Sequence, residues 1–146
     1  HIHTDVDCYI STLIPQDYVE DIFLRLEIYN DISNAKNDYD IDHIVSKLED
    51  IYGPIPDYLN NLFSLTRVKI EGSRIKVVKI KINKENTIIT LNSKSLIDNN
   101  KLTNHFVLKS KIKLTDQFNL KYRNISKDNF SELCDEVISM MKDISV

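Results

Sequence analysis

The residues whose types could support chemistry fall into a few small groups. Asp5 and Asp7 share one face of any strand they lie in, and Glu49 and Asp50 are adjacent. Paired carboxylates do acid–base work only when a neighbour drives their pKa values apart, and neither pair has such a neighbour in sequence. His1 and His3 would also share a strand face and offer two nitrogens to a metal, but no third ligand stands nearby. Cys8 and Cys134 lie at opposite ends of the chain without CxxC spacing, the pattern of two free thiols in a reducing compartment. No serine carries a flanking nucleophile motif. The chain holds 2 glycines, Gly53 and Gly72, each placed at a helix end by its surroundings, so no glycine-rich loop can cradle a nucleotide phosphate. ATP hydrolysis by this chain is excluded, and a binding or regulatory module is expected, without cofactor or metal of its own.

Charge is the next candidate signal. Residues 1–60 carry 3 Lys and Arg against 13 Asp and Glu, whereas residues 61–125 carry 14 against 4. Lys76, Lys79, Lys81, Lys109, Lys111 and Lys113 could form a phosphate-binding surface, which makes a nucleic-acid-binding module the alternative function class. The stronger reading is structural: these lysines alternate with Ile80, Ile82, Val107, Ile112 and Leu114, as on the solvent face of half-buried strands, where lysine also guards sheet edges. The richness in Ile, Asn and Lys points to a compositional bias that raises lysine throughout.

Length and pattern then set the elements that position these residues. At 146 residues with 42% hydrophobic content, one domain with a sizeable core is expected. Apolar runs fall far short of the roughly 20 residues that cross a bilayer, so no membrane partner is expected. The start at His1, with no basic or long apolar leader, reads as a piece of a longer protein. Alternation from Ile2 to Ile10 predicts a strand. Pro15 then opens a helix from Tyr18 to about Ala35, with Val19, Ile22, Phe23, Leu26, Tyr29 and Ile32 as its inward stripe and Arg25 spaced to bridge Asp21. Asp38 or Asp40 is placed to cap a second helix that carries Ile41, Ile44, Val45, Leu48 and Ile51. Gly53 and Pro54 end that helix, and Pro56 suits the first position of a third. The third runs to about Glu71, with Leu59, Leu62, Phe63, Thr66 and Ile70 inward, and Gly72 closes it.

Beyond Gly72 the period changes. Residues 75–82 and 87–92 read as an antiparallel hairpin, with Val77–Val78 either a bulge or the true strand start. Residues 93–104 fit a short helix or a loop. Residues 105–114 and 118–123 read as two further strands, and Ser126 caps a final helix striped by Phe130, Leu133, Cys134, Val137, Ile138 and Met141. The expected class is α+β: an N-terminal strand, a three-helix unit over about residues 15–72, an antiparallel sheet of about four strands and a C-terminal helix.

The run "DVDCYISTLIPQDYVEDIFLRLEIYNDISNAKNDYDIDHIVSKLEDIYGPIPDYLNNLFSLTRVK" closely resembles the start of the C-terminal domain of bacterial transcription-repair coupling factors, the Mfd family. The shared features are Ile14-Pro15, Tyr18, Arg25-Leu26 with Tyr29, and the corner Asp50-Ile51-Tyr52-Gly53-Pro54-Ile55-Pro56. The resemblance covers roughly the first half of the chain and implies a regulatory role. The family's parent protein is a cytoplasmic translocase that uses ATP and Mg in other domains. It removes RNA polymerase stalled at DNA damage and recruits UvrA, reaching polymerase and DNA through those other domains. Its C-terminal domain packs against a UvrB-like module of the same chain, where it masks the UvrA-binding surface and restrains translocation. Carboxylates just before the glycine corner face arginines of that module. Asp50 occupies a matching position; Lys47 stands where some relatives are acidic, Ile51 replaces an arginine, and Glu49 offers a second carboxylate.

Overall fold

The structure is a computed structural model that describes residues 3–116 and 118–146. His1, Ile2 and Gln117, and with them part of the two-histidine reading, lie outside the described residues. In chain order the elements are β1 (Asp5–Cys8), α1 (Ile22–Ser33), α2 (Asp38–Tyr52), α3 (Asp57–Arg74), β2 (Lys79–Ile82), β3 (Asn86–Thr90), α4 (Asn99–Leu102), β4 (Ile112–Leu114), β5 (Asn119–Arg123) and α5 (Phe130–Ile144). A π-helical turn, Thr103–Val107, continues α4. The expected α+β arrangement holds.

The strands form one sheet in the order β1-β2-β3-β5-β4. The predicted hairpin is present as β2 and β3, paired antiparallel with Lys81 opposite Ile88. β1 adds a fifth strand, parallel to β2, with Asp5 opposite Lys79 and Asp7 opposite Lys81. The hairpin starts at Lys79 because α3 continues to Arg74 and Lys76 takes a positive φ of 60°; Val77–Val78 is therefore the approach to the strand. Residues 105–107, expected to be extended, belong to the π turn. There Phe106 is buried in the core under the sheet, a burial that alternation alone does not distinguish from a strand's.

Two cores divide the chain. One gathers Ile80, Ile82, Ile89, Leu120 and Tyr122 of the sheet with Leu133, Val137, Met140 and Met141 of α5. The other gathers Val19, Ile32, Ile41, Leu48, Leu59 and Phe63 from the three-helix unit. α3 belongs to both: Leu59 and Phe63 enter the helical core, while Leu65 and Val68 enter the sheet core. A helix apolar on more than one face is a buried helix, and α3 spans the boundary. Arg67 joins it to α2 through ion pairs to Asp38 (2.9 Å) and Asp42 (2.7 Å).

Gly72 does not end α3. It lies inside the helix, buried, where a β-carbon would sit 2.7 Å from Ile80 Cδ1, 3.0 Å from Val77 Cγ2 and 3.1 Å from Thr4 Cγ2. The glycine is there for close helix–sheet approach. Two caps also differ from expectation. Asn37, one residue before Asp38, accepts the Asp40 N–H, while the Asp40 carboxylate accepts the Lys36 N–H. Asn129 caps α5, its side chain accepting the Glu132 N–H, and the Ser126 N–H bonds the Glu136 carboxylate at 2.7 Å. Pro56 is the cap residue of α3, with Asp57 its first helical residue.

Substituting Gly72→Val is expected to lower unfolding free energy by about 3 kcal/mol through overpacking. Gly72→Ala should cost about 1 kcal/mol or less, since better helix propensity offsets part of the clash. Urea unfolding of the two variants measures the difference.

Candidate interaction surface

The corner between α2 and α3 is built by the residues that carry the family resemblance. Gly53 adopts φ 90° and ψ −165°, a region essentially closed to side-chain-bearing residues. Nothing lies within 4 Å of where its β-carbon would be, so the requirement is conformational. The Tyr18 hydroxyl donates to the Gly53 carbonyl at 2.8 Å, with the Leu48 carbonyl at 3.3 Å. Its ring packs on Tyr52 at 5.6 Å between centroids. Pro15 turns the chain into position: its carbonyl accepts from the Tyr18 and Val19 N–H groups. Tyr29 holds the same segment from the other side, its hydroxyl accepting the Ile14 N–H at 2.7 Å. An open groove of about 490 Å³ runs along this junction, lined by Pro15, Tyr18, Pro56 and Tyr58.

Lys47, Glu49 and Asp50 stand exposed on the last turns of α2. That last turn holds no basic residue, and none of the three makes an ion pair among the described residues. Carboxylates at a helix C-terminus oppose the helix dipole, at about 0.3–1 kcal/mol each when exposed. Glu49 is felt nearby: burial, and then the charge of Glu49, push the Tyr18 phenol above its ordinary pKa. The corner thus presents two carboxylates that make no ion pair among the described residues, with Lys47 one turn before Asp50.

α1 is turned differently from its sequence pattern. Ile32 is its buried residue and Ile28 and Tyr29 are half-buried against the helical core. Ile22, Phe23, Leu24 and Leu26 are instead 56%, 77%, 42% and 56% exposed. The Arg25 guanidinium folds back onto the carbonyls of Val19 (2.6 Å) and Glu20 (2.8 Å). It makes no bridge to Asp21, which caps α1 by accepting from the Phe23 and Leu24 N–H groups. The helix begins at Ile22, four residues after the predicted start. Sequence periodicity missed this exposed apolar face; the one signal for it was a charged residue inside the stripe.

Elsewhere, displaced titrations trace to packing. Burial raises the buried Cys134 thiol and the half-exposed Cys8 thiol, both free. Burial and the Glu136 carboxylate raise the Tyr122 phenol. For Glu136 burial works upward, but bonds from Tyr122, Ser126 and Ile125 outweigh it and hold the carboxyl below its ordinary value. Among the described residues no three His, Cys, Asp or Glu side chains gather as a metal site, and no helix is long and apolar enough to cross a membrane.

Comparison with known proteins places this geometry. A family model for the TRCF domain matches residues 8–102. The transcription-repair-coupling factor of Myxococcus xanthus is 29% identical over 99% of this chain, and that of Buchnera aphidicola 31% identical over 74%. The chain spans only 12% and 13% of those relatives' lengths. The crystal structure of the C-terminal domain of a transcription-repair coupling factor superposes with a TM-score of 0.76 at 17% identity, covering 97% of this chain and 95% of that one.

The corner makes its own prediction. Tyr18→Phe removes one hydroxyl bond and should cost about 1 kcal/mol, while Gly53→Ala strains the backbone and should cost about 1–3 kcal/mol. Chemical denaturation of the two variants measures both costs.

Proposed function

The chain belongs to the TRCF domain family, and from that premise we propose that it is a non-catalytic interaction domain that holds its parent protein in a closed state. The parent is a bacterial cytoplasmic DNA-repair translocase whose other domains bind ATP and Mg and reach DNA and RNA polymerase. This domain covers the UvrA-binding surface of the parent's UvrB-like module, competes there with UvrA, and restrains translocation while it is docked.

The observation that carries the reading is the acidic corner. Glu49 and Asp50 sit exposed at the wrong end of a helix dipole, without a basic residue in that turn. Arginines on a facing module would offset that cost. Charge pairs across such a contact supply specificity more than affinity. The exposed apolar face of α1, Ile22, Phe23 and Leu26, supplies area for burial on the same three-helix unit. Tyr18 ties the entry to α1 to the corner through Gly53, so both features ride on one frame. A docking contact within one chain acts at high effective concentration. It can be individually weak, close the protein at rest, and yield to a competing partner by population shift.

Lys47 and Ile51 bear on the partner's detail. Lys47 places a cation one turn before Asp50, and Ile51 is 60% exposed. The contact is therefore Glu49 and Asp50 facing cations, with Ile51 adding apolar area beside them.

Binding of this chain to the separately produced UvrB-like module is the test. Asp50→Arg should weaken it about tenfold, equivalent to roughly 1.4 kcal/mol. A compensating charge reversal of the facing arginine should restore binding. Undiminished binding by Asp50→Arg would remove Asp50 from the interface.

A further inference from the structure

The open face of the sheet carries two kinds of charge arrangement. On the β1–β2 side, Asp5 and Asp7 lie opposite Lys79 and Lys81 in the register, so each lysine has a carboxylate across from it. On the β5–β4 side Lys113 lies opposite Lys121, and the Arg123 N–H bonds the Lys111 carbonyl, bringing a second pair of cations onto facing backbone. All four are exposed. None makes an ion pair among the described residues. Like charges directly opposite on neighbouring strands destabilise a sheet.

Edge protection explains only part of this. β4 is the edge strand, and lysine there discourages pairing with another chain. β5, however, lies between β3 and β4, so Lys121 and Arg123 guard no edge. The array they complete lines a groove of about 270 Å³. Its one carboxylate, Glu85, is engaged by Lys127. Lys111 also lines a second open groove of about 480 Å³ with Lys101, His105, Lys109, Lys142 and one carboxylate, Asp143. Ser110, in the left-handed region at φ 59°, turns the chain out of the π turn and sets Lys111 at the junction of the two grooves.

We propose that Lys111, Lys113, Lys121 and Arg123 form a binding track for the phosphodiester backbone of a nucleic acid, continued by Lys109 and Lys142. Strand geometry spaces the four at about 5 Å across strands and about 7 Å along them. That array suits several linked phosphates better than one isolated anion. Two grooves joined at Lys111 favour an extended ligand. The open face offers one half-buried apolar residue among these cations, Ile88, so contact to the backbone dominates and base selectivity should be weak. The track lies on the sheet, away from the three-helix unit that carries Asp50, so it stands independently of the docking reading.

Fluorescence anisotropy of the whole chain with a labelled 20-base single-stranded DNA and the duplex of the same sequence tests the proposal. Binding is expected at about 20 mM salt, falling with a log–log slope near −3 to −4 for duplex and nearer −3 for the single strand. The triple variant Lys111→Gln, Lys121→Gln, Arg123→Gln should lose more than tenfold in affinity. Its unfolding midpoint should hold or rise, because like-charge repulsion is relieved. The matched variant Lys76→Gln, Lys79→Gln, Lys81→Gln should lose less than threefold. No binding to either DNA at about 20 mM salt, or equal losses from the two variants, would overturn the assignment. Displacement of the DNA by poly-glutamate at equal charge concentration would overturn it too, pointing to an acidic protein surface.

Discussion

At Gly72 the backbone of α3 lies so close to Ile80, Val77 and Thr4 that a β-carbon would have to push their side-chain methyl groups aside. That approach seats the long helix on the sheet, and the rest of the molecule is arranged around it. Upstream along the same helix, Leu59 and Phe63 close the helical core, so α3 is one wall of two compartments. Interiors packed at crystal-like density transmit displacement rather than absorb it. The position of α2 and its acidic corner is therefore referenced, through α3, to the sheet on the other side.

The corner itself is a second, local constraint. Gly53 supplies a backbone conformation that other residues resist, and the Tyr18 hydroxyl fastens that backbone to the turn opened by Pro15. Five of the residues that carry the family pattern, Pro15, Tyr18, Arg25, Tyr29 and Gly53, are joined by bonds to backbone groups or by their own backbone geometry. They build a frame. The groups that would meet a partner, Glu49, Asp50 and the outward residues of α1, are those the frame leaves exposed. The corner is thus held by its own bonds while its carboxylates have no basic residue in their turn.

How much of this was legible in the sequence varied with the physics involved. Periods were readable: the α5 stripe from Phe130 to Met141 is buried apart from the half-exposed Ile138, and the β2–β3 hairpin lies where β-branched runs placed it. Phase was harder. The apolar residues of α1 have helical spacing, yet Ile22, Phe23, Leu24 and Leu26 stay exposed, and the bonds of Arg25 to two carbonyls come from a side chain and not from a period. Gly72 looked like a helix stop because glycine serves both ends and close contacts, and only the sheet beneath it decides between them. The π turn at Thr103–Val107 imitates alternation by burying Phe106. At the corner, Gly53 and the exposure of Asp50 were readable from chain chemistry, whereas the Tyr18–Gly53 bond joins residues 35 apart in sequence and needs the fold.

The two charged surfaces have opposite signs. Acidic groups gather on the three-helix unit and unpaired cations on the β5–β4 side of the sheet, so a domain with formal net charge −3 can present opposite signs to opposite partners. The acidic side carries the central claim, and hydrogen–deuterium exchange of this chain, free and mixed with the UvrB-like module, tests it most directly. Slowed exchange concentrated at the end of α2, residues 47–53, and at the start of α1, residues 20–26, is the predicted result. Unchanged exchange there, with protection confined to the sheet, would contradict it.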